Sequence, residues 1–372
     1  MKILQLGKFY PIRGGVEKVM WNLTAGLSAQ GVHCDMLCAK FRSDPPENPV
    51  IVMNPHGRVI CVPALTKKAS TMIAPEMISY LRRHKDEYDL VHIHHPDPMA
   101  ALALRTSGFK GKVVVHWHSD ILSRHLLMEQ YRPLQEWMLR RADRIVGTTP
   151  VYTASSPHLA AFQEKTVTIP IGIKPLHPDP EKVRAYRDLH PGKKIILSIG
   201  RLVPYKGYPF LVDAAALLPD EYLVIIGGTG PQHSSLEEQI RKRGIEGKVI
   251  LPGYVTDEDL PTLFGACDVF ALSSCMKTEA FGIVQLEAFS CGKPVVAPEI
   301  PESGVSWVNA HGRSGLNVPV GDPEALSEAL QRVCADPQQY ARFSAGAKER
   351  FQDVFTLEKM IQKTIQLYES LL

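Results

Sequence analysis

Long apolar runs are missing from this chain of 372 residues. No run approaches the ~20 consecutive apolar residues that a membrane-crossing helix needs. Charge and glycine interrupt the first residues, Met-Lys-Ile-Leu-Gln-Leu, at once, so they predict a strand and not a cleaved secretion signal. We therefore expect a cytoplasmic protein without membrane-spanning helices.

Cysteine is scarce and shows no pattern. The seven cysteines are odd in number, and no two of them form a CxxC pair. A disulfide framework needs an even set and a structural zinc site commonly uses such pairs, so we expect neither. Several cysteines lie in apolar runs, which predicts reduced core residues.

An excess of charge is also absent, since the formal net charge is +3. No basic stripe is interleaved with aromatic residues, which argues against a nucleic-acid partner. The charge is nevertheless uneven. Residues 1–172 hold 21 Lys and Arg against 14 Asp and Glu, a balance of +7, and residues 173–372 hold 21 against 25, a balance of −4. The first half therefore favours an acidic surface or substrate.

The sequence does contain a regular alternation of strand-like and helix-like segments. Strands are predicted near 2–6, 32–39, 59–62, 90–94, 112–117, 144–148 and 167–171, and then near 194–199, 222–226, 249–251, 269–273 and 294–297. This rhythm predicts an α/β protein with two doubly wound domains. Ligands bind such sheets at the carboxyl ends of the strands, so a cleft between the domains is the expected active site.

Proline marks the expected domain boundary. The stretch 170–191 holds five prolines and is the predicted linker. We place the first domain at 1–172 and the second at 173–354. Residues 355–372 are predicted to form a C-terminal helix that packs back on the first domain.

Two glutamates eight positions apart, Glu279 and Glu287, follow the buried strand near 269–273. A helix is predicted from about Phe281 to Ser290 and is ended by Gly292. Its free N-terminal amides favour phosphate, and the carboxylates can accept hydrogen bonds from sugar diols. The alternative is a capping Glu279 and a solvated Glu287.

A basic loop follows the first strand of the second domain. Arg201 and Lys206 lie five positions apart among glycine and proline, an arrangement that fits a diphosphate. The alternative is a solvated basic loop. The next strand ends in Gly227-Gly-Thr-Gly230, which is a weak signal by itself.

A glycine loop from Gly7 to Gly15 follows the first strand of the chain. Its paired Gly14 and Gly15 open a helix, where the backbone can approach a phosphate closely. The loop does not match the GxGxxG dinucleotide pattern, and a plain tight turn is the alternative.

Histidines end two neighbouring strands. His118, followed by Asp120 and Arg124, is interpreted as a substrate contact, with a packed or surface histidine as the alternative. His92, His94, His95 and His116 could indicate, with His118, a metal-dependent hydrolase. Because no carboxylate is evidently placed as a further ligand, we favour solvated strand-end histidines. The acidic run at 257–259 begins a helix, where it suits the helix dipole.

The combination of these motifs resembles glycosyltransferase family 4. The motifs occur in family order and cover essentially the whole chain: Gly14-Gly15, His118, Arg201 with Lys206, Gly227 to Pro231, and Glu279 with Glu287. The resemblance implies the GT-B fold, with two Rossmann-like domains facing across a cleft, and a retaining, metal-independent enzyme without a cofactor. Its substrate would be a nucleotide-sugar.

The resemblance also implies residue roles. His118, Arg201, Lys206 and Glu279 would be catalytic, with the two cations on the diphosphate and Glu279 on the donor sugar. Glu287 would bind the ribose. The other expected donor contacts are Gly14, Gly15, Gly200, Gly228, Tyr254, Val255, Ala280, Phe281, Gly282 and Ile283.

Details of the sequence bear on specificity. Ile171 stands where the family often has Asn, and the stretch 273–278 also departs from the usual pattern. Residues 279–282 and 303–307 are most similar to bacterial mannosyl- and rhamnosyl-type transferases of surface polysaccharide assembly. This similarity implies a GDP-sugar donor, with a UDP-sugar as the alternative, and a lipid-linked saccharide acceptor. A metal-dependent hydrolase and a catalytically silent nucleotide-sugar-binding module remain the rival functions.

Basic clusters in the first half could contact a membrane. They lie at 67–68, at 82–85 and at 140–144, and the second ends a helical stretch, 73–85, that carries an apolar face. Basic residues are attracted to anionic lipid, and an apolar face adds burial. The alternative is a core-packed helix with cations at its C-terminus, which suits the helix dipole. We expect a cytoplasmic enzyme that docks reversibly on the inner leaflet.

Overall fold

The computed structural model describes residues 1–12, 14–45, 47–68, 71–121 and 125–372. The chain divides into two compact units. The N-terminal unit comprises Met1–Gly172 together with Leu357–Leu372, and the C-terminal unit comprises Ile173–Thr356. Among the described residues, no helix combines the length and the apolar character needed to cross a bilayer.

The N-terminal unit is built on a mostly parallel sheet. Its strands are β1 Lys2–Phe9, β2 His33–Lys40, β3 Val50–Asn54, β4 Gly57–Pro63, β5 Thr66–Lys68, β6 Thr71–Ile73, β7 Leu90–His95, β8 Lys112–Trp117, β9 Arg144–Gly147 and β10 Thr166–Thr168. Its first helices are α1 Gly15–Ala29, α2 Pro75–His84, α3 Pro98–Ser107, α4 His125–Arg141 and α5 Pro150–Ser155.

The main sheet of this unit has the order β10-β9-β8-β7-β1-β2-β4-β3. All neighbours pair in parallel except β3 and β4, and β5 pairs with β6 as a separate antiparallel hairpin. The order reverses direction between β1 and β7. In doubly wound sheets such a switch point opens a crevice at the carboxyl ends of the strands.

The C-terminal unit repeats this design. Its strands are β11 Lys194–Ile199, β12 Tyr222–Gly227, β13 Val249–Ile250, β14 Val269–Ala271, β15 Val295–Pro298 and β16 Gly315–Val318. Its helices are α6 Pro180–Asp188, α7 Tyr208–Leu217, α8 His233–Arg243, α9 Leu260–Ala266, α10 Val284–Ser290, α11 Val305–Val308, α12 Pro323–Ala335 and α13 Pro337–Arg350. The sheet is parallel throughout, in the order β13-β12-β11-β14-β15-β16. Its switch point lies between β11 and β14.

Burial explains why these segments are strands. Every residue of β12 is buried, as expected for a central parallel strand that helices cover on both faces. The helix α12, by contrast, is buried along one face. Asp322 caps it by accepting from the Ala325 N–H at 2.9 Å, and Leu326, Leu330 and Val333 are buried on one face.

The last helix, α14 Leu357–Glu369, belongs to the N-terminal unit. Its Ile361 packs so closely on α1 that a Cβ at Gly26 would lie 2.6 Å from the Ile361 Cδ1. The Gly172 N–H also lies 3.3 Å from the Met360 sulfur. The end of the chain is therefore part of the first sheet's helical cover.

The predicted fold class of two Rossmann-like α/β domains is confirmed, but several local predictions were wrong. The sequence reading missed β3, the β5–β6 hairpin and β16. The predicted linker contains α6, because Asp179 caps the helix and Pro180 occupies its first turn, where proline is tolerated.

The seven cysteines are free thiols. Four are buried and three are half-buried, namely Cys275, Cys291 and Cys334.

Candidate functional site

The loops at the carboxyl ends of β11, β12 and β13 are joined by backbone hydrogen bonds. Gly200 N–H donates to Gly227 O at 2.9 Å, Leu202 N–H to Thr229 O at 2.9 Å, and Gly228 N–H to Gly253 O at 2.7 Å. At Gly228, φ is +142° and an added Cβ would lie 1.8 Å from Gly200 O. Glycine is required here because the two loops touch.

A buried ion pair spans the switch point of the C-terminal unit. Lys206 Nζ lies 2.5 Å from Glu279 Oε2, and the two side chains are 12% and 11% exposed. Ser274 Oγ donates to the same carboxylate oxygen at 2.9 Å. The backbone locks the two loops together, since Cys275 N–H donates to Tyr205 O at 2.8 Å and Ser273 Oγ donates to Lys206 O at 2.9 Å.

Electrostatics keep Lys206 charged in this setting. Burial is the largest single influence and acts to lower its pKa, but attraction to Glu279 and Tyr205 together with the hydrogen bond to Glu279 outweighs burial, so the pKa is raised. The ammonium group is thus held in a partly dry site with one counter-ion. A ligand with more negative charge than the Glu279 carboxylate would compete with Glu279 for the Lys206 ammonium group.

Arg201 lies beside this pair and is exposed. Its guanidinium donates to the Tyr205 hydroxyl at 3.2 Å, while Lys206 Nζ lies 5.6 Å from the centre of the Tyr205 ring. The two predicted cations therefore both contact one tyrosine. The alternative of a simply solvated loop is excluded for Lys206, whose side chain is 12% exposed.

The segment after Glu279 is a loop. Our prediction of a helix from about Phe281 was wrong, because Gly282 has φ +75° and α10 begins at Val284 with seven residues. The loop is tied to residues 303–304, which follow β15: Ser303 Oγ donates to Glu279 O at 2.5 Å and Gly304 N–H to Ala280 O at 3.0 Å.

The other residues predicted to contact the donor differ from one another in burial. Glu287 is buried in α10, so a solvated Glu287 is excluded. Tyr254 is 72% exposed, and Val255 packs against Gly227, where an added Cβ would lie 2.7 Å from Val255 Cγ2. Their roles as donor contacts stay predictions. The same holds for Ala280, Phe281, Gly282 and Ile283.

The glycine loop of the N-terminal unit opens α1 as predicted. Gly14 is the N-cap with extended backbone, and α1 begins at Gly15. An added Cβ at Gly14 would lie 2.2 Å from the Glu17 carboxylate, so Gly14 makes room for a buried acid.

Sequence reasoning missed a buried contact between Lys8 and Asp97 at the switch point of the N-terminal unit. Asp97 Oδ2 accepts from the Lys8 N–H at 2.5 Å, and the Lys8 ammonium donates to Pro96 O. Lys8 has φ +62°, an uncommon conformation outside glycine. Burial lowers the pKa of Lys8 and raises the pKa of Asp97. The usable signal was Asp97 before Pro98, a common helix start.

The histidines at the ends of β7 and β8 are buried, so the prediction of solvated histidines was wrong. His92, His94, His95, His116 and His118 are all nearly inaccessible. Burial is the first cause that lowers the pKa of each, to about 3 for His116.

Among the described residues, one group of side chains could hold a metal by proximity: His92, His94 and His116 offer ring nitrogens within 4.8 Å of one another. Their rings are stacked at 13° to 24° between planes. Both ring nitrogens of His94 already have partners, because Nδ1 lies 3.0 Å from His118 Nε2 and Nε2 lies 2.8 Å from Gln5 Oε1. The group contains no carboxylate. This geometry disfavours the metal-dependent hydrolase.

Asp120 accepts hydrogen bonds from side chains of its own unit. Its Oδ1 accepts from Trp117 Nε1 at 2.9 Å and from Ser156 Oγ at 2.7 Å. Arg124, which was grouped with it, lies outside the described residues.

Comparisons with known proteins agree with this architecture. Residues 14–172 match the model described as "Glycosyl transferase 4-like domain", and residues 180–350 match "Glycosyl transferases group 1". The chain is 33% identical over its full length to O-antigen chain mannosyltransferase C of Escherichia coli, covering 99% of that protein. The chain therefore belongs to the glycosyltransferase family that these two models and this relative represent.

Two more relatives show the breadth of the glycosyltransferase family. The chain is 32% identical over 96% of its length to D-rhamnosyltransferase WbpZ of Pseudomonas aeruginosa, covering 92% of that protein. Sucrose-phosphate synthase from Thermosynechococcus elongatus aligns over 100% of this chain and 99% of its own, with a TM-score of 0.81 and 25% identity.

A solved structure of Anabaena HepE with UDP and glucose aligns over 100% of both chains, with a TM-score of 0.79 and 22% identity. The GT-B fold and the resemblance to mannosyl- and rhamnosyl-type transferases are confirmed.

Proposed function

We propose that this glycosyltransferase moves a sugar from a nucleotide-sugar donor to an acceptor hydroxyl with retention of configuration. The observation that carries the proposal is the buried pair of Lys206 and Glu279 at the switch point, with Arg201 beside it. Cations recognise a diphosphate and a carboxylate recognises sugar hydroxyls. Both kinds of group meet at this edge of the sheet.

The proposed roles follow from that placement. Arg201 and Lys206 hold the diphosphate, and Glu279 with the amides after it holds the donor sugar. Glu287 binds the ribose hydroxyls. His118 of the N-terminal unit contacts the reacting sugar.

The reaction breaks the bond between the sugar's anomeric carbon and the diphosphate oxygen and forms a bond to the acceptor oxygen. We propose a front-face displacement without a protein nucleophile: the acceptor oxygen attacks the anomeric carbon on the face from which the phosphate departs, and the acceptor proton passes to that phosphate. Charge develops on the diphosphate, and Arg201 and Lys206 stabilise it, which is the main catalytic effect.

We propose a GDP-sugar of the mannose type as donor, because two relatives that are 33% and 32% identical over nearly the full chain are named for mannosyl or D-rhamnosyl transfer. A UDP-sugar is the alternative, since HepE was solved with UDP and glucose. The test is a thermal-shift panel of GDP-, UDP- and ADP-sugars. Selective stabilisation by GDP-mannose supports the proposal, and stabilisation by UDP-sugars alone contradicts it.

Transfer is proposed to need no metal ion. The diphosphate charge is met by Arg201 and Lys206, so a divalent cation has no required part. EDTA should leave transfer intact. A preparation that loses all activity with EDTA and recovers with Mg²⁺ or Mn²⁺ would overturn this point.

The proposed acceptor is a lipid-linked saccharide of polysaccharide or lipopolysaccharide synthesis, reached from the cytoplasmic side of the inner membrane. The name of the Escherichia coli relative supports it. The apolar face of α2 cannot insert into lipid as first predicted, because Met77 and Leu81 are buried in the unit. Attraction therefore rests on cations such as the exposed Arg82 and Arg83.

Co-sedimentation with vesicles tests this contact. Binding should increase with anionic lipid and decrease with salt, since the Debye length falls from ~10 Å at 0.1 M to ~3 Å at 1 M. A protein that ignores anionic vesicles at low salt would indicate a solvated basic surface and a soluble acceptor.

A further inference from the structure

A chain of hydrogen bonds runs through the N-terminal unit behind His118. His118 Nε2 lies 3.0 Å from His94 Nδ1, and His94 Nε2 lies 2.8 Å from Gln5 Oε1. Gln5 Nε2 then donates to the Tyr368 hydroxyl at 3.1 Å, and that oxygen lies 2.5 Å from His92 Nδ1. All five side chains are buried, so no water competes for these contacts.

The amide of Gln5 gives the chain a direction. Its carbonyl oxygen can only accept, so His94 Nε2 must carry the proton that joins them. A neutral imidazole carries one proton, so His94 Nδ1 accepts and His118 Nε2 donates. His118 then carries no proton on Nδ1.

The neighbours of His118 keep its ring neutral. The described groups that act on it are His94 through the hydrogen bond, His116 through ring stacking at 4.1 Å, and Lys8 and His92 through charge. Burial, first, and these groups lower the pKa of His118. No carboxylate among the described residues is found to stabilise an imidazolium there.

We infer that Gln5 and Tyr368 are positioning residues that hold His118 in the tautomer with its proton on Nε2, so that Nδ1 accepts a hydrogen bond from a hydroxyl group of the bound saccharide. The inference rests on the proposed function, in which His118 contacts the reacting sugar. It assigns a role to two residues that touch no substrate.

Tyr368 brings the C-terminal helix into this arrangement. It lies on α14, and its ring meets the His92 ring edge-on, with centres 5.7 Å apart and planes at 87°. Its hydroxyl accepts the amide proton of Gln5, which keeps the Gln5 carbonyl turned towards His94. The end of the chain thus sets the proton position on a histidine 250 residues earlier (368 − 118 = 250).

The experiment measures ring tautomers directly. Protein labelled with ¹⁵N-histidine is compared by NMR with Gln5→Met and Tyr368→Phe, and His118→Gln assigns the His118 signals. Wild-type His118 should show a protonated Nε2 and a bare Nδ1. In Gln5→Met the two nitrogen shifts should move towards each other, because the chain no longer selects one tautomer. Tyr88→Phe is the control, since Tyr88 is buried in the same unit and its hydroxyl donates to Asp35 instead.

The second readout is release of GDP from GDP-mannose. Gln5→Met and Tyr368→Phe should each lower kcat about tenfold with little change in KM, as loss of a partner that orients a functional histidine does. The double variant should lose less than the product of the two single losses, because both act on one chain.

Three results would overturn the inference: a proton on Nδ1 of wild-type His118, unchanged His118 shifts in folded Gln5→Met, or losses no larger than that of Tyr88→Phe. If wild-type protein releases no GDP from GDP-mannose, the proposed donor is wrong, whereas the NMR comparison still decides the tautomer.

Discussion

Lys206 and Glu279 depend on each other. Each is buried with the other as its counter-ion, and Ser274 completes the carboxylate's contacts. A buried pair of this kind is poor evidence for stability, because desolvation offsets the attraction. Its position at the switch point is better explained by function, since an incoming diphosphate can take over the lysine.

Replacing the two glutamates separately should separate binding from turnover. Glu287→Ala should weaken nucleotide binding, because it is proposed to hold the ribose, and Glu279→Ala should mainly lower turnover, because it is proposed to hold the sugar. Calorimetry with GDP and steady-state kinetics with GDP-mannose measure the two effects. Interchanged phenotypes would refute the assigned roles.

Asp97 allows a prediction about stability. Asp97→Ala removes the cap of α3, because the Asp97 carboxylate accepts from the Met99 and Ala100 N–H groups, and it leaves the buried Lys8 N–H without its acceptor. We expect a loss of about 2–4 kcal/mol in the free energy of unfolding, from the lost cap and the unsatisfied buried N–H together. Asp322→Ala, which removes the cap of α12, should cost about 1 kcal/mol.

Urea denaturation of both variants measures the difference. Equal losses in Asp97→Ala and Asp322→Ala would mean that Asp97 acts as a cap and nothing more.

At the scale of elements, the glycine loops explain why β11, β12 and β13 end together. Gly228→Ala should destabilise the C-terminal unit by about 1–3 kcal/mol or more, because the new Cβ would overlap Gly200 O and φ is unfavourable. Gly247→Ala is a matched control, since an added Cβ there meets nothing within 4 Å. Thermal unfolding should separate the two variants, and equal melting temperatures would contradict the packing argument.

The periodicity of apolar residues predicted most of the central strands and helices. It failed where a single glycine or a short edge strand determines the local structure. The helix predicted from Phe281 begins three residues later, because Gly282 adopts a left-handed conformation and the Gln285 side chain donates to Phe281 O. The strand β16 was missed since Gly315–Val318 is short and lies at the sheet edge.

The candidate site was predicted in part. Strand-end cations and carboxylates can be read from the sequence, and Arg201, Lys206 and Glu279 do lie together. The contacts of Gln5 and Tyr368 join residues 363 positions apart, and no local pattern signals them.

At the scale of the whole molecule, the buried histidines predict how stability depends on pH. An unfolded histidine titrates near 6.5, and the folded pKa values of the cluster lie below this. The unfolded chain therefore binds more protons as pH falls below about 6.5, and each histidine costs about 1.4 kcal/mol of stability per pH unit until its folded pKa is reached. Above pH 6.5 the effect vanishes.

Urea denaturation at pH 7, 6 and 5 should show this loss. His116→Phe keeps a stacked ring and should reduce the slope below pH 6.5 by about one histidine's share. A flat profile between pH 7 and 5 in the wild-type protein would contradict the burial of the cluster.

The central claim is that the switch-point loops of the C-terminal unit bind the diphosphate of a nucleotide-sugar. Calorimetric titration of GDP into wild-type protein, Arg201→Ala and Lys206→Ala tests it most directly, with Lys182→Ala as a control for an exposed lysine paired with Glu258. Loss of a charged contact costs about 1.5–3 kcal/mol, so Kd should increase at least tenfold in both site variants and stay constant in the control. Wild-type affinity in both site variants would contradict the account.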